Sequence, residues 1–232
     1  LDTGMTYSSA IFNRPNESLE EEQDNKYQRL LDMLDVKPGQ HILEIGCGWG
    51  GFAVAAAQRG IQVDAITLSP AQLAWAERRV EALQLEQLIK LSLTDYRDLQ
   101  GSYDHIVSIE MFEAVGERYW PTYMDTLQRL LKPGGRAALQ VITINEQAYD
   151  GYRRNPDFIQ RYIFPGGMLP TQTHLVQHAR AAGMSCLDNA GFGLDYAETL
   201  RRWHAGFSAN WDIIQALGFD ERFRRTWRYY LS

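Results

Sequence analysis

Gly46, Gly48, Gly50 and Gly51 close the stretch His41–Gly51, HILEIGCGWGG, and the chemistry they offer is that of a bare backbone. Without a Cβ, Gly46 and Gly48 can take positive φ angles and let main-chain atoms come against a ligand. Gly46, Gly48 and Gly51 formally satisfy G-x-G-x-x-G, and Asp64 follows at about the 20-residue distance where a dinucleotide fold keeps its ribose carboxylate. A nicotinamide or flavin cofactor is therefore one reading. Asp64, however, still has Ala65 to Leu68 ahead of it before the turn at Ser69-Pro70, which places it inside a strand and not at the strand's tip. Glu44, just ahead of the glycines, favours another ligand: a glycine loop with carboxylates suits an amino-acid tail better than a pyrophosphate. The same turn is also an ordinary strand-to-helix connection in any α/β protein.

The other reactive side chains are few. His105 lies within an apolar run and reads as structural. His174 and His178 share a helix face with no third ligand near them in sequence, so no metal is expected. No G-x-S-x-G is present to suggest a hydrolase.

The elements that would carry these residues repeat a pattern. Ile42–Ile45 reads as a buried parallel strand, followed by the glycine loop and a helix over 52–59. Strands are expected over 62–68, 89–94, 103–109 and 136–144, the last after a break at Lys132-Pro133-Gly134-Gly135. Helices are expected over 19–34 with Ser18 as N-cap, 71–83 opening on Ser69-Pro70, 119–131, 173–182, 197–207 and 219–231, with a further strand over 184–189. Ligands of open α/β sheets bind beyond the carboxyl ends of the strands. Residues 44–48, Thr67 to Gln72, Asp95-Tyr96 and Ile109 to Glu113 would therefore line one crevice. Residues 145–172 interrupt the pattern with aromatics and arginines and read as an insertion covering that crevice.

Composition narrows the partners. A chain of 232 residues, 45% hydrophobic and 22% charged, suits one globular α/β domain, and no run of about 18 apolar residues exists to span a membrane. The net charge of −6 argues against nucleic acid as the main partner. Near the end, Arg201, Arg202, Arg222, Arg224, Arg225 and Arg228 alternate with Trp203, Phe223, Trp227, Tyr229 and Tyr230. That is either a solvated amphipathic helix or a surface for anionic lipid head groups. Cys47 and Cys186 give no disulfide framework, which fits a reduced, cytoplasmic setting. The start at Leu1 and the end at Leu231-Ser232 read as cut edges.

Several stretches in this order resemble the cyclopropane fatty acid synthase and mycolic acid methyltransferase family: MTYSSAIF (5–12), LEIGCGWGG (43–51), ITLSPAQ (66–72), DYRDL (95–99), IVSIEMFEAVG (106–116), YIFPGGMLP (162–170) and DYAETLRRW (195–203). The resemblance implies a Rossmann-like class I S-adenosylmethionine (AdoMet) methyltransferase, a mostly parallel sheet with helices on both faces and an aromatic-rich lid. It implies a single domain over 1–232: a lid and helix (1–35), an AdoMet-binding core (36–144), a substrate-covering insertion (145–172) and a C-terminal part (173–232). The implied reaction is methyl transfer to the double bond of an unsaturated acyl chain of a phospholipid. That would make a peripheral protein at the inner face of the membrane, with a homodimer as one compatible assembly. Tyr7, Ser8, Gly46, Gly48, Thr67, Leu68, Gln72, Tyr96 and Ile109 fall on cofactor-contacting positions, and Glu44 and Asp95 join them from their strand ends. Aromatic faces at Tyr7, Phe112, Tyr196 or Trp203 would stabilise a carbocation.

The family's base is a bicarbonate ion held by a cysteine, a glutamate, a histidine and a tyrosine. Glu113 and Tyr196 match the last-named acid and phenol, whereas Ser9 and Gln140 stand at the cysteine and histidine positions. Neither replacement carries the proton chemistry of histidine, so Glu113 becomes the expected base if the ion is absent, and the product is a ring, a methylene or a methyl branch. A soluble small-molecule acceptor and a catalytically silent AdoMet- or lipid-binding protein remain as alternatives.

Overall fold

Five strands form one parallel sheet in the order β3-β2-β1-β4-β5: β1 His41–Ile45, β2 Gln62–Thr67, β3 Ile89–Leu93, β4 Tyr103–Ile109 and β5 Leu131–Gln140. The computed structural model describes residues 1–14 and 16–232. By its internal contacts the chain divides into two compact units, Tyr27–Asn189, and Leu1–Lys26 with Ala190–Ser232.

Within the unit 27–189, alternate residues of the strands feed two apolar clusters, as a sheet covered on both faces requires. Ile42, Val63 and Val107 join Leu31, Leu34, Phe52 and Ala56. Leu43, Ile66 and Ile106 join Trp120, Tyr123, Leu127 and Leu130. The first cluster is covered by α1 (Leu19–Leu34) and α2 (Gly51–Gln58), the second by α4 (Trp120–Leu130). Burial of each such side chain is worth about 1.5 to 3 kcal/mol.

Local signals set most boundaries. Ser18 and Glu21 close a reciprocal cap on α1, with Glu21 N–H donating to Ser18 Oγ at 3.2 Å and Ser18 N–H to the Glu21 carboxylate at 2.7 Å. Ser69 caps α3 (Pro70–Ala82) by accepting from Gln72 N–H at 3.3 Å, with Pro70 in the first turn.

Two expectations are corrected. β5 begins at Leu131 and ends at Gln140, so the Pro-Gly-Gly segment is not a break ahead of the strand but a bulge within it. Tyr103 pairs with Leu131 and His105 with Arg136, so three residues more are spent on β5 than on β4. Glycine is needed there, since a Cβ on Gly135 would lie 2.6 Å from the Asp104 carbonyl oxygen. Residues 184–189 form no strand, because no neighbouring strand offers them a ladder among the described residues, and Leu187 is 75% exposed. The insertion holds α5 (Tyr149–Arg154) and a π-helical turn, Ile159–Ile163, and is followed by α6 (Gln172–Ala181).

In the other unit, α7 (Gly193–Ala209) is longer than expected. The short α8 (Trp211–Ala216) precedes α9 (Glu221–Tyr230). No helix among the described residues is long and apolar enough to cross a membrane.

Candidate functional site

Because all five strands run parallel, their carboxyl ends share one edge, and the strand order reverses between β1 and β4. That switch point is where an open α/β sheet leaves a crevice. The loop after β1 and the turn after β4 meet there. Gly46 has φ +83°, and a Cβ on it would sit 2.7 Å from Met111 Cγ and 3.0 Å from Met111 Cβ. Its N–H and that of Cys47 both donate to the Ile66 carbonyl, at 3.0 and 2.9 Å, which locks the loop onto the end of β2. Gly48 also has a positive φ, +52°.

The predicted cofactor residues of this unit take distinct places around the loop. Glu44 is 3% exposed, beneath the loop, and its charge adds to burial in pushing the Cys47 thiol far above the ordinary range. Thr67 ends β2, accepts from Ser69 N–H at 3.1 Å and donates to Gln72 Oε1 at 2.9 Å, so Thr67, Ser69 and Gln72 form one fixed turn. Leu68 between them is 68% exposed. Trp49, inside the loop, meets Trp75 of α3 edge-on at 5.9 Å, an aromatic wall that the glycine pattern alone did not flag.

Asp95 is taken up by Arg97, whose Nε and Nη2 donate at 2.9 and 2.6 Å; those hydrogen bonds hold the Asp95 carboxyl below the usual range. Tyr96 packs edge-on against Tyr123 at 5.1 Å, and burial raises its phenol pKa. Ile109 ends β4 opposite Gln140.

Asp64, the one residue that could have completed a dinucleotide site, is third in β2. It accepts from Tyr103 Oη at 3.1 Å and pairs with His41 Nε2 at 3.1 Å, well before the strand's carboxyl end. The ribose role is therefore closed to it, and the nicotinamide or flavin reading fails with it.

Glu113 lies in a 3₁₀ turn, Phe112–Ala114, after β4. Its Oε1 accepts from Ile142 N–H at 2.5 Å, while Oε2 is shut off from solvent with no hydrogen-bond partner. Burial pushes the carboxyl up to about 8, far more than the hydrogen bond from Ile142 lowers it. The Glu113 carbonyl accepts from Met168 N–H at 2.8 Å, and Arg153 pairs with Glu117 at 2.6 Å, so the insertion is tied down on the turn that carries this carboxyl. Within the insertion, Tyr162 and Phe164 are 62% and 46% exposed.

Gln140 ends β5 and donates to Glu110 Oε1 at 2.9 Å; Glu110 itself sits at φ +47°, and its N–H donates to the Gln140 carbonyl at 2.8 Å. Sequence reasoning missed Glu110 as Gln140's partner, since nothing in a single sequence marks a non-glycine residue for the left-handed region. Phe112, expected as a candidate cation stabiliser, is 1% exposed and packed on Trp120 and Tyr123 at 5.6 and 5.3 Å, a core position.

The remaining predicted residues belong to the other unit. Tyr7 is 47% exposed. Ser8 is buried and gripped twice: Lys26 Nζ donates to its Oγ at 2.6 Å and Gln23 Nε2 to its carbonyl at 2.9 Å. Lys26 is fully buried, and its polar neighbours in α1, Asp24, Asn25 and Gln28, gave no sign of that. The Ser9 hydroxyl donates to the Ala10 carbonyl at 3.1 Å, and Ala10 N–H donates to Thr199 Oγ1 at 3.1 Å. Tyr196 is half-buried on α7, and Trp203 on the same helix is buried.

These positions test the two groups that the resemblance implied. A glycine loop that must stay free of Cβ atoms, closed by Thr67 and Gln72 on one side and Met111 on the other, fits a compact ligand such as AdoMet. The donors for bicarbonate do not fit in the same way. The Gln140 amide is spent on Glu110 and the Ser9 hydroxyl on a carbonyl, so no step is routed through that ion. Among the described residues no cluster of His, Cys, Asp and Glu could hold a metal.

Cys47 illustrates how closed the loop is. Its thiol is buried and held protonated, whereas Cys186 is exposed. Titration of the native protein with a disulfide reagent at pH 8 is expected to modify Cys186 within minutes and to reach Cys47 only after urea is added.

Comparison with known proteins agrees with this arrangement. The sequence profile described as Mycolic acid cyclopropane synthetase matches residues 1–232. Tuberculostearic acid methyltransferase UfaA1 of Mycobacterium tuberculosis is 42% identical over 240 residues, covering 100% of this chain and 56% of that protein. Cyclopropane-fatty-acyl-phospholipid synthase of Escherichia coli K12 is 38% identical over 234 residues, covering 100% and 58%. The chain thus spans little more than half the length of these curated relatives. The solved structure of cyclopropane synthase CmaA1 complexed with SAH and CTAB superposes with a TM-score of 0.92 at 29% identity, covering 100% of this chain and 84% of that one. Cyclopropane synthase MmaA2 from Mycobacterium tuberculosis gives 0.91 at 27%, with the same coverage.

Proposed function

The chain belongs to the mycolic acid cyclopropane synthetase family, and from that membership we propose that it transfers a methyl group from AdoMet to the double bond of an unsaturated fatty-acyl chain of a phospholipid. The observation that carries the reading is the Glu113 carboxyl, buried and half-satisfied on the turn that also brings Met111 against Gly46. Bound AdoMet supplies an electrophilic methyl group on a sulfonium, which an alkene attacks only if the two are held in line.

Gly46, Gly48, Thr67, Leu68 and Gln72 bind that donor, with Glu44, Asp95, Tyr96 and Ile109 around them. The alkene π pair forms the new carbon-carbon bond as the sulfur-methyl bond breaks, leaving a cation on the neighbouring acyl carbon. Glu113 in its ionised form then takes a proton. Removal from the new methyl group closes a cyclopropane; a hydride shift followed by removal from the same carbon leaves a methylene. Tyr7 and Ser8 keep, within this proposal, the cofactor-contacting role that the resemblance implies; Ser9, Gln140 and Tyr196 stand at the positions of the family's bicarbonate holders, and no step is assigned to them.

The loss of the cysteine and histidine positions favours a methylene product over a ring. Tuberculostearic acid methyltransferase UfaA1, 42% identical, is among the relatives. The protein would work as a peripheral enzyme on the cytoplasmic face of a membrane.

Incubation of the full-length protein with methyl-labelled AdoMet and unsaturated phospholipid vesicles is expected to place label in the acyl chains. Proton spectra of the product should show vinylidene signals rather than upfield ring protons. Label confined to water-soluble molecules would overturn the lipid acceptor, and AdoMet binding without any transfer would overturn catalysis.

A further inference from the structure

α9 presents two faces of different chemistry. On one, Phe219, Phe223, Trp227 and Tyr230 form a continuous stack with centroid spacings of 4.3, 5.6 and 5.4 Å. Phe207 of α7 meets Phe223 at 6.2 Å and Trp211 of α8 at 5.8 Å, and Arg224 lies over the Trp211 ring at 5.1 Å and pairs with Glu221. That face is committed to its own unit.

The other face carries Arg222, Arg225 and Arg228, all exposed, with Tyr229, 65% exposed, among them. At a spacing of three, and with helical rotation of about 100° per residue, the three guanidinium groups fan over the side opposite the aromatic stack. None of them pairs with an acidic side chain among the described residues. A merely solvated helix face interleaves both signs; the only acid on this helix is Glu221, which belongs to Arg224. The segment that leads into α9 leaves Ile213, Leu217 and Phe219 at 64%, 74% and 43% exposure. Unpaired arginines on α9, and exposed aliphatic side chains ahead of it in the chain, are kept where the net charge is −6.

We propose that this face of α9, with Ile213 and Leu217 ahead of it, docks on the anionic head groups of a lipid bilayer. This deepens the functional reading, resting on it for the lipid nature of the substrate, by naming the surface through which the protein reaches that substrate. Guanidinium groups grip phosphates through paired hydrogen bonds, tyrosine settles at head-group depth, and aliphatic side chains enter the acyl boundary. A second copy of the chain fits less well, since a two-fold contact would bring the arginine face against itself. Nucleic acid shares the anionic phosphates but offers nothing to Ile213 and Leu217, whereas a bilayer offers both phosphates and an acyl boundary.

The test uses the full-length protein and sedimentation with vesicles of neutral phosphatidylcholine alone or mixed with anionic phosphatidylglycerol. Binding is expected on the mixed vesicles and to fade as salt rises above about 0.3 M, as screening shortens. Each arginine near such a surface is worth about five-fold in partitioning, so the triple variant Arg222→Gln, Arg225→Gln, Arg228→Gln should lose roughly 100-fold. Leu217→Glu, at a position too exposed to unfold the unit, should weaken binding as well. In all these variants AdoMet binding and methyl transfer to detergent-dispersed lipid should stay at the parent level. Equal sedimentation of parent and triple variant, indifference to lipid charge, or a drop in oligomer mass in the variant would overturn the docking surface. A parent that sorts between the vesicles as described but binds no AdoMet would support the surface and overturn the functional reading instead.

Discussion

Gly46→Ala is expected to weaken AdoMet binding by at least about 100-fold, the scale on which a displacement of about 1 Å is felt at a positioned site. Two costs coincide at this residue. Its φ of +83° is a region that an L side chain enters only at about 1 to 2 kcal/mol, and its new Cβ would lie 2.7 Å from Met111 Cγ. Met111 cannot simply swing away, since its own Cβ is 3.0 Å from the added atom, so the loop after β1 and the turn after β4 must part. Stability should fall by about 2 to 4 kcal/mol, seen as a lower thermal midpoint. Gly39→Ala supplies the control, because Gly39 has the same φ of +83° with nothing within 4 Å of the added Cβ. It should lose about 1 kcal/mol or slightly more while binding AdoMet normally in calorimetry. If the two variants bind AdoMet alike, the close approach of Gly46 to Met111 has no part in holding the donor.

Glu113→Gln is expected to separate stability from turnover in opposite directions. As the base, Glu113 must be ionised, and with its carboxyl pushed up to about 8 the parent's turnover should climb with pH and level off near that value. The amide cannot take a proton, so turnover should fall by about 10² to 10⁴ while AdoMet affinity is unchanged.

The stability effect has the reverse sign. A carboxyl whose pKa is near 4.5 in the unfolded chain and about 8 in the folded one binds a proton only in the folded state between those values. Stability from this group is therefore full below about pH 4.5 and is lost as pH rises toward 8. Glutamine keeps the oxygen that accepts from Ile142 N–H and places a neutral group where the solvent-free Oε2 lies. The variant should be more stable than the parent by about 2 to 4 kcal/mol at pH 8 and should show a flatter pH dependence of its denaturant midpoint between pH 5 and 8. Unchanged turnover would remove Glu113 from the reaction; an unchanged pH dependence would mean that water reaches the carboxyl after all.

Much of the scaffold was legible because its signals are local. α1 was expected over 19–34 and spans Leu19–Leu34, since Ser18 and Glu21 write the cap into four consecutive residues. β4 was expected and found over 103–109, an apolar run with turns at both ends. The ends of β5 and the missing strand at 184–189 were not legible. Whether an extended segment becomes a strand depends on a partner elsewhere in the chain, and whether Pro-Gly-Gly breaks a ladder or bulges out of it depends on how closely Asp104 approaches Gly135. The insertion was recognised by composition, but its attachment through Met168 to the Glu113 carbonyl pairs residues far apart in sequence.

The sequence by itself determined the parallel α/β order, the glycine loop at the end of the first strand and the set of residues that a family resemblance assigns to donor and substrate. These depend on hydrophobic period, turn chemistry and residue identity, all carried by neighbours along the chain. Only the tertiary structure decided that Asp64 is consumed by His41 and Tyr103, that Gln140 answers to Glu110, and that Glu113 keeps one oxygen away from water. Desolvation and hydrogen-bond partnership are set by what lies across space from a side chain, and it is those two quantities that turn a carboxylate into a bystander or a base.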